Sequence, residues 1–392
     1  MSVIKRVLPI PKKSFMLFGP RGVGKSTWIR HQLPQALEID LLEAKQFLPL
    51  NANPSLLQEM TRSLLAGDWV FIDEIQKVPA LLDEVHSLYE KKRLHFALSG
   101  SSARKLRRGG ANLLAGRALT THMFPLTFQE YRSTASLQDA LVWGSLPQVV
   151  TEPDFRQEYL YSYVQTYLRE ELVAEGIIRK LEPFLRALQV IGLYNGQILN
   201  VENIARESHV SRSSVDSYFG VLEDTLLGFR LYPLCPKWNA KENKHPKFYM
   251  FDVGVARACA GLLGEDLDSL WTGFSFETTI VNHVRAYNCY LQKHRDLFYY
   301  KFSDGYEVDL FIERKKKTLS SKQELVAIEI KASRHWDKRW NEPLLDLQAK
   351  SKGRIQSLVG VYQGKSRLEQ SGVQIYPAEE FLLALHQGEF LS

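Results

Sequence analysis

Ser14-Phe15-Met16-Leu17-Phe18-Gly19-Pro20-Arg21-Gly22-Val23-Gly24-Lys25-Ser26-Thr27-Trp28-Ile29-Arg30 is the stretch that decides the fold. Its first five residues read as a short buried strand. Its last six read as the start of a helix. The segment between them, Gly19-x4-Gly24-Lys25-Ser26, is a complete phosphate-binding loop pattern. Glycines let backbone N–H groups close around phosphate oxygens where a Cβ would collide. The helix N-terminus adds a favourable field for an anion. Gly19, Pro20, Arg21, Gly22, Val23, Gly24, Lys25, Ser26 and Thr27 are therefore expected to cradle ATP. Lys25 would meet the β- and γ-phosphates, and the Ser26 hydroxyl would ligate Mg²⁺.

Working outward, two further apolar strands follow. Val70-Phe71-Ile72 ends at Asp73-Glu74, and His95-Phe96-Ala97-Leu98-Ser99 ends at Gly100-Ser101-Ser102. Helical patterns lie between them, at Pro54 to Leu65 and Ala80 to Lys91. Strands alternating with helices predict a parallel sheet covered on both faces. Asp73 is expected to hold Mg²⁺ and Glu74 to polarise the attacking water. Ser99 would orient that water or sense the γ-phosphate, or it is simply a turn residue. Arg104, Arg107, Arg108 and Arg117 are candidates to neutralise transition-state charge, and Arg117 is the preferred one. A neighbouring copy would supply it in trans. A solvated basic surface, or one touching nucleic acid, is the competing reading.

The 392 residues exceed one comfortable core, and 45% hydrophobic with 24% charged residues excludes a disordered or fibrous chain. No apolar run approaches a membrane span, and residues 1–6 lack a signal-peptide pattern. Cys235, Cys259 and Cys289 are too few and too scattered for a disulfide framework, so a cytoplasmic protein with no membrane partner is expected. The formal charge of +6 is uneven. Residues 1–150 carry 19 basic and 12 acidic side chains, largely through the Arg104–Arg117 run, while the rest of the chain is near neutral.

Residues 126–193 read as mostly helical, with Tyr159, Tyr163 and Tyr167 at helical spacing as core. Asn200 and Ser211 would cap two helices joined by a turn, followed by an extended segment at Phe229–Tyr232. In a DNA reader the second helix would present Arg212 and Ser213, and a lysine-rich loop with Lys241 and Lys244 would touch phosphates. With a single arginine in that helix, a packing or protein-docking unit is equally open. Farther on, a helix contains Glu277, and strands are expected at Leu297–Phe302, Tyr306–Ile312, Leu325–Ile330 and Ser357–Tyr362, the last of the chain. A basic loop is expected at Glu313–Lys317. Glu329 and Lys331 share one face of their strand, with Asp309 on the strand before. Glu277, Asp309 and Glu329 would hold Mg²⁺ or Mn²⁺, and Lys331 would position water or stabilise a pentavalent phosphate. A structural ion pair between Lys331 and one carboxylate is the alternative.

Together these residues resemble a bacterial and archaeal family with an AAA-type ATPase core and a C-terminal domain of unknown function 4143. The resemblance rests on Gly19–Thr27, Phe71–Gln76, Leu98–Ser102, Leu114–Arg117, Pro125-Leu126-Thr127-Phe128-Gln129-Glu130-Tyr131 and the 200–232 helix-turn-helix. The chain departs from it at Gly144-Ser145-Leu146-Pro147, where the family has two glycines and an aromatic before proline. The C-terminal part looks like the restriction-endonuclease-like fold, with its PD-(D/E)xK pattern on Glu277, Asp309, Glu329 and Lys331. The resemblance implies an α/β protein in three parts. These are a P-loop AAA-type domain at 1–132, a helical connector with a winged-helix-like unit at 133–250, and a nuclease-like domain at 251–392. The functions that follow are a Mg²⁺-dependent ATPase coupled to DNA binding or cleavage, or an ATP-switched protein-interaction or remodelling ATPase with an inactive nuclease-like domain.

Overall fold

The computed structural model describes residues 3–101, 116–168, 180–234, 245–302 and 305–392. Its first sheet has five strands: β1 (Phe15–Phe18), β2 (Leu37–Asp40), β3 (Trp69–Asp73), β4 (His95–Gly100) and β5 (Leu119–His122). All are parallel, in the order β2-β3-β4-β1-β5. Interior strands of such a sheet are buried on both faces, which is why β1, β3 and β4 read as unbroken apolar runs. Phe15, Leu17, Phe71 and Ala97 point to the face shared with Trp28 and Ile29. Met16, Phe18, Val70, Ile72, Phe96 and Leu98 point to the face covered by Leu81, Leu82, Val85 and Leu88. β2 and β5 lie at the edges, with partly exposed polar residues, and the sequence pattern does not announce them. Because β4 lies between β1 and β3, the carboxyl ends carrying Gly19, Ser99 and Asp73 stand side by side.

Helix Phe128–Tyr131 follows the first sheet, and the connector then contains helices Leu137–Trp143, Pro147–Thr151, Arg156–Ser162 and Leu181–Leu193. Helix Val201–Ser208 is capped by Asn200, which accepts the Asn203 N–H at 3.1 Å. His209 turns the chain in the left-handed region, and Ser211 caps Arg212–Asp224 by accepting the Ser214 N–H at 3.2 Å. Two antiparallel strands follow, β6 (Gly228–Leu231) and β7 (Lys247–Met250). One apolar cluster runs from Phe15 and Trp28 through Leu146 and Tyr163 to Phe184, Ile204 and Phe219, so the first sheet and the connector share a core.

After β7 come the helix Val253–Ala260 and the long helix Ser269–Tyr290. An antiparallel meander follows: β8 (Leu297–Lys301), β9 (Glu307–Lys315) and β10 (Glu324–Lys331). The helix Asn341–Lys350 then crosses to β11 (Ile355–Tyr362), which runs parallel to β10. Beyond it lie β12 (Leu368–Gln370), β13 (Val373–Pro377) and the helix Ala378–His386. The six strands are ordered β12-β13-β11-β10-β9-β8. Two expectations are corrected here. The strand ending at Tyr362 is not the last, and Glu313-Arg314-Lys315 belongs to β9, not to a loop. Lys315 pairs across to Glu324 at 3.1 Å, and that opposite charge lets a basic run sit in a strand. Among the described residues no helix is long and apolar enough to cross a membrane.

Candidate functional site

The phosphate loop is shaped by close approach. A Cβ on Gly19 would stand 2.5 Å from the Met123 carbonyl oxygen, and Gly22 and Gly24 have φ of 82° and 90°. Only glycine meets both demands cheaply. Lys25 is buried at the head of its helix, and its ammonium donates to the carbonyls of Gly19 (2.7 Å) and Pro20 (3.1 Å). Ser26 is half-buried and Thr27 exposed.

Beside the loop, the 2%-exposed Asp73 accepts the hydroxyl of Ser99 from the adjacent strand. The Ser99 oxygen in turn accepts the Glu74 N–H at 3.2 Å. Glu74 sits in the left-handed region at φ 58°, a conformation that non-glycine residues keep only where the surroundings enforce it. Its carboxylate accepts the amide of Gln76, which also donates to Ser101 at 3.2 Å. Arg30, one turn beyond Ser26, lies 3.8 Å from Asp73, 2.6 Å from Glu38 and 3.6 Å from Asp40. The hydrogen bond that Arg30 donates to Glu38 raises its pKa despite partial burial.

Arg117 does not join this site within the chain. It precedes Leu119, which pairs with Phe15 at the opposite end of β1 from the loop, and it bonds Glu90 at 2.6 Å. Arg104, Arg107, Arg108, Lys241 and Lys244 lie outside the described residues.

Several residues not singled out for function contact the loop. The Tyr163 hydroxyl donates to the Arg21 carbonyl at 3.0 Å, and its ring lies 3.5 Å from where a Gly22 Cβ would be. The Arg6 side chain is 5% exposed and donates to the carbonyls of Val23 (2.7 Å) and Phe124 (2.6 Å), to Glu130 (3.0 Å) and to the Tyr290 hydroxyl (3.3 Å). Burial opposes its charge, but Glu130 and Tyr290 raise its pKa overall. Arg6 thus joins the phosphate loop to the end of the long C-terminal helix. Gly144-Ser145-Leu146-Pro147 forms a second tie. The Ser145 N–H donates to Asp252 at 2.7 Å, and a Cβ on Gly144 would fall 2.0 Å from that carboxylate. Burial pushes Asp252 up to about 6.

The second cluster lies at the C-terminal sheet. Glu329 and Lys331 share a face and bond at 2.5 Å. Lys331 is also 3.6 Å from Asp309, whose other bond accepts the Ile330 N–H at 2.7 Å. Lys247 enters from β7, fully buried, at 2.7 Å from both Glu277 and Glu307 and 3.9 Å from Asp309. The Tyr249 hydroxyl donates to Glu277 at 2.5 Å. Burial raises the Glu277 pKa, outweighing Lys247. Burial and then Asp309 hold Glu329 well above the usual carboxylate range despite Lys331.

The expected metal site of Glu277, Asp309 and Glu329 does not assemble. Among the described residues no three His, Cys, Asp or Glu side chains converge closely enough to hold a metal ion. Two ammonium groups stand among the carboxylates, which is the structural ion-pair arrangement. Arg212 bonds Glu202 at 2.9 Å on the surface, so the helix presents little net charge there, and the Ser213 hydroxyl bonds Ser211 at 3.1 Å.

Residues 11–132 match the model of an AAA domain. Residues 134–266 match a domain of unknown function 8612, and residues 272–381 a domain of unknown function 4143. The chain joins an AAA-type P-loop domain to a C-terminal domain of unknown function 4143. An uncharacterized protein of Mycobacterium tuberculosis is 25% identical over 391 residues, covering 96% of this chain and 82% of the relative. One from Methanocaldococcus jannaschii is 22% identical over 342 residues, covering 79% of this chain and 74% of the relative. Among solved structures, the Aeropyrum pernix ORC1 protein in complex with DNA overlays with a TM-score of 0.30 at 14% identity, over 66% of this chain and 87% of that one. A signal transduction ATPase with numerous domains from Pyrococcus horikoshii overlays at 0.22 and 12% identity, over 74% and 49%. Overlays at these scores carry no argument. The AAA-type assignment rests on the family match and on the strand order around the P-loop.

Proposed function

We propose that the AAA-type domain binds and hydrolyses ATP, and that its nucleotide state sets the position of a C-terminal domain that docks a partner rather than cutting one. The observation that carries the hydrolysis is the Ser99 hydroxyl, which links the Asp73 carboxylate to the Glu74 backbone beside the glycine cradle. Ser26 and Asp73 supply hard oxygen donors of the kind Mg²⁺ takes alongside waters and phosphate oxygens. When bound, Mg²⁺ would neutralise phosphate charge. In this reading Lys25 leaves the Gly19 and Pro20 carbonyls for the β- and γ-phosphates. Ser99 fixes Asp73 and aims Glu74, and Glu74 polarises the attacking water. Lys25→Ala should abolish ATP binding. Glu74→Gln should keep binding but lower turnover about a hundredfold or more. Normal turnover in both variants contradicts the proposal. A role for Arg117 in trans has its own signature, namely turnover per chain that rises with protein concentration and falls in Arg117→Ala.

Docking is favoured over cleavage because Lys247, a cation outside the nuclease pattern, already sits against Glu277 and near Asp309, carboxylates that a nuclease would give to metal. The link between the sites is Arg6, which touches the loop at Val23 and the C-terminal helix at Tyr290. A loop that rearranges around phosphate changes the carbonyl that Arg6 holds, and a two-state contact of this kind is what a switch needs.

A further inference from the structure

The carboxyl ends of β10 and β11 leave the sheet side by side, with Glu329 in register with Gly360 and Lys331 with Tyr362. The segments that follow are tied by the Gln363 N–H, which donates to the Ser333 carbonyl at 2.9 Å. Between them lies a cleft of about 730 Å³, lined in part by Arg334, Trp336, Tyr362 and Lys365. A second hollow of about 550 Å³ shares Trp336 and adds Lys338 and Trp340. Ligands of open sheets with parallel strands favour this end.

Trp336 is held firmly. Its ring covers Gly360, where a Cβ would fall 2.5 Å from a ring carbon, and its N–H donates to Asn341 at 2.9 Å. Trp340 and Tyr362 meet it edge-on at 5.2 and 6.1 Å. The cations around it are of two kinds. Arg339 is held by Asp337 at 2.5 Å and Arg367 by Glu380 at 3.6 Å. Arg334, Lys338 and Lys365 are exposed and make no ion pair among the described residues. The Gln363 amide nitrogen, at the same cleft, is buried without a hydrogen-bond partner among the described residues.

Fixed aromatic rings among uncommitted cations suit a chain of phosphates whose bases are free to stack. A duplex keeps its bases stacked on each other, and an acidic peptide has no use for the rings. We propose that the Trp336 cleft binds single-stranded nucleic acid, with bases against Trp336 and Trp340 and phosphates on Arg334, Lys338 and Lys365. The proposal rests on the reading of the C-terminal domain as a docking module and names its partner class.

The test uses the full chain with labelled oligothymidylate and oligouridylate, followed by anisotropy and tryptophan quenching across a salt series. Arg334→Ala/Lys338→Ala/Lys365→Ala changes only exposed side chains. It should weaken binding at least tenfold and flatten the log–log salt slope by about 2, at roughly 0.7 per lost phosphate contact. Trp340→Leu should reduce both affinity and quenching, whichever sugar is preferred. No binding by the unaltered chain, equal binding of a duplex, full competition by polyglutamate, or an unaltered triple variant would each overturn the proposal. Lys25→Ala and ATP run alongside. Binding that persists but ignores nucleotide keeps this inference and sinks the switch.

Discussion

Asp73 and Glu329 are buried to the same degree, 2% and 3% exposed, yet their surroundings ask different things of them. Asp73 is met by a neutral hydroxyl, and its ion pair among the described residues, with Arg30, is 3.8 Å long with that side chain 45% exposed. Glu329 is met by an ammonium at 2.5 Å, with a second lysine buried among its neighbours. A carboxylate steadied by a hydroxyl keeps its charge for an arriving cation. One already paired with lysine has little left to offer, because a buried charge must be answered within the fold. Acidic residues that end or line β-strands therefore do not make a metal site by themselves. The partner that reaches them decides.

The largest expected effect separates the two sites outright. Lys25→Ala should reduce ATP hydrolysis by about a hundredfold or more, while Glu329→Ala should leave turnover per folded chain unchanged. A turnover loss in Glu329→Ala would join what this comparison keeps apart. Next, Lys247→Met removes the cation from Glu277 and Glu307. Breaking a buried pair from one side should destabilise the fold by about 3–5 kcal/mol in denaturant titrations, whereas Arg30→Ala, at a partly exposed pair, should cost about 1 kcal/mol or less. Mn²⁺ should recover part of the Lys247→Met loss, since the carboxylates it exposes are then free. Arg6→Lys keeps the charge near Glu130 but cannot span Val23, Phe124 and Tyr290 together. It should weaken the response of the C-terminal helix to ATP, read by hydrogen exchange, more than it lowers turnover.

The smallest effect concerns pH. Burial raises Asp252 to about 6, so its contribution to stability is greatest below the ordinary carboxylate pKa and is lost as pH climbs toward 6. Burial lowers His283 to about 4, so its contribution is present above the ordinary imidazole pKa and is lost as pH falls toward 4. Both line one cavity of about 30 Å³ between connector and C-terminal helix, and their slopes oppose. These two contributions should largely cancel between about pH 4 and 6, so Asp252→Asn should make stability fall more on acidification than it does in the unaltered chain, as thermal melts can follow.

The nucleotide site was legible because its chemistry is written locally. Gly19–Thr27 is contiguous, and Asp73 and Ser99 each close an apolar run. β2 and β5 escaped notice because short edge strands with exposed polar residues carry weak alternation. Lys247 follows a lysine-rich loop and reads as its continuation. Nothing local says that it reaches Glu277, thirty residues on. Arg6 is the same case at longer range, with its partners at Glu130 and Tyr290. The aromatic and basic alternation from Arg334 to Trp340 was a visible signal. Its meaning comes from the loop after Tyr362, which only the parallel register of β10 and β11 brings beside it.

The most direct test of the account is Mn²⁺ binding followed by electron paramagnetic resonance, with and without a non-hydrolysable ATP analogue. One bound ion should appear with nucleotide, disappear in Lys25→Ala and persist in Glu329→Ala. A nucleotide-independent ion that vanishes in Glu329→Ala would contradict it and return the C-terminal cluster to metal chemistry.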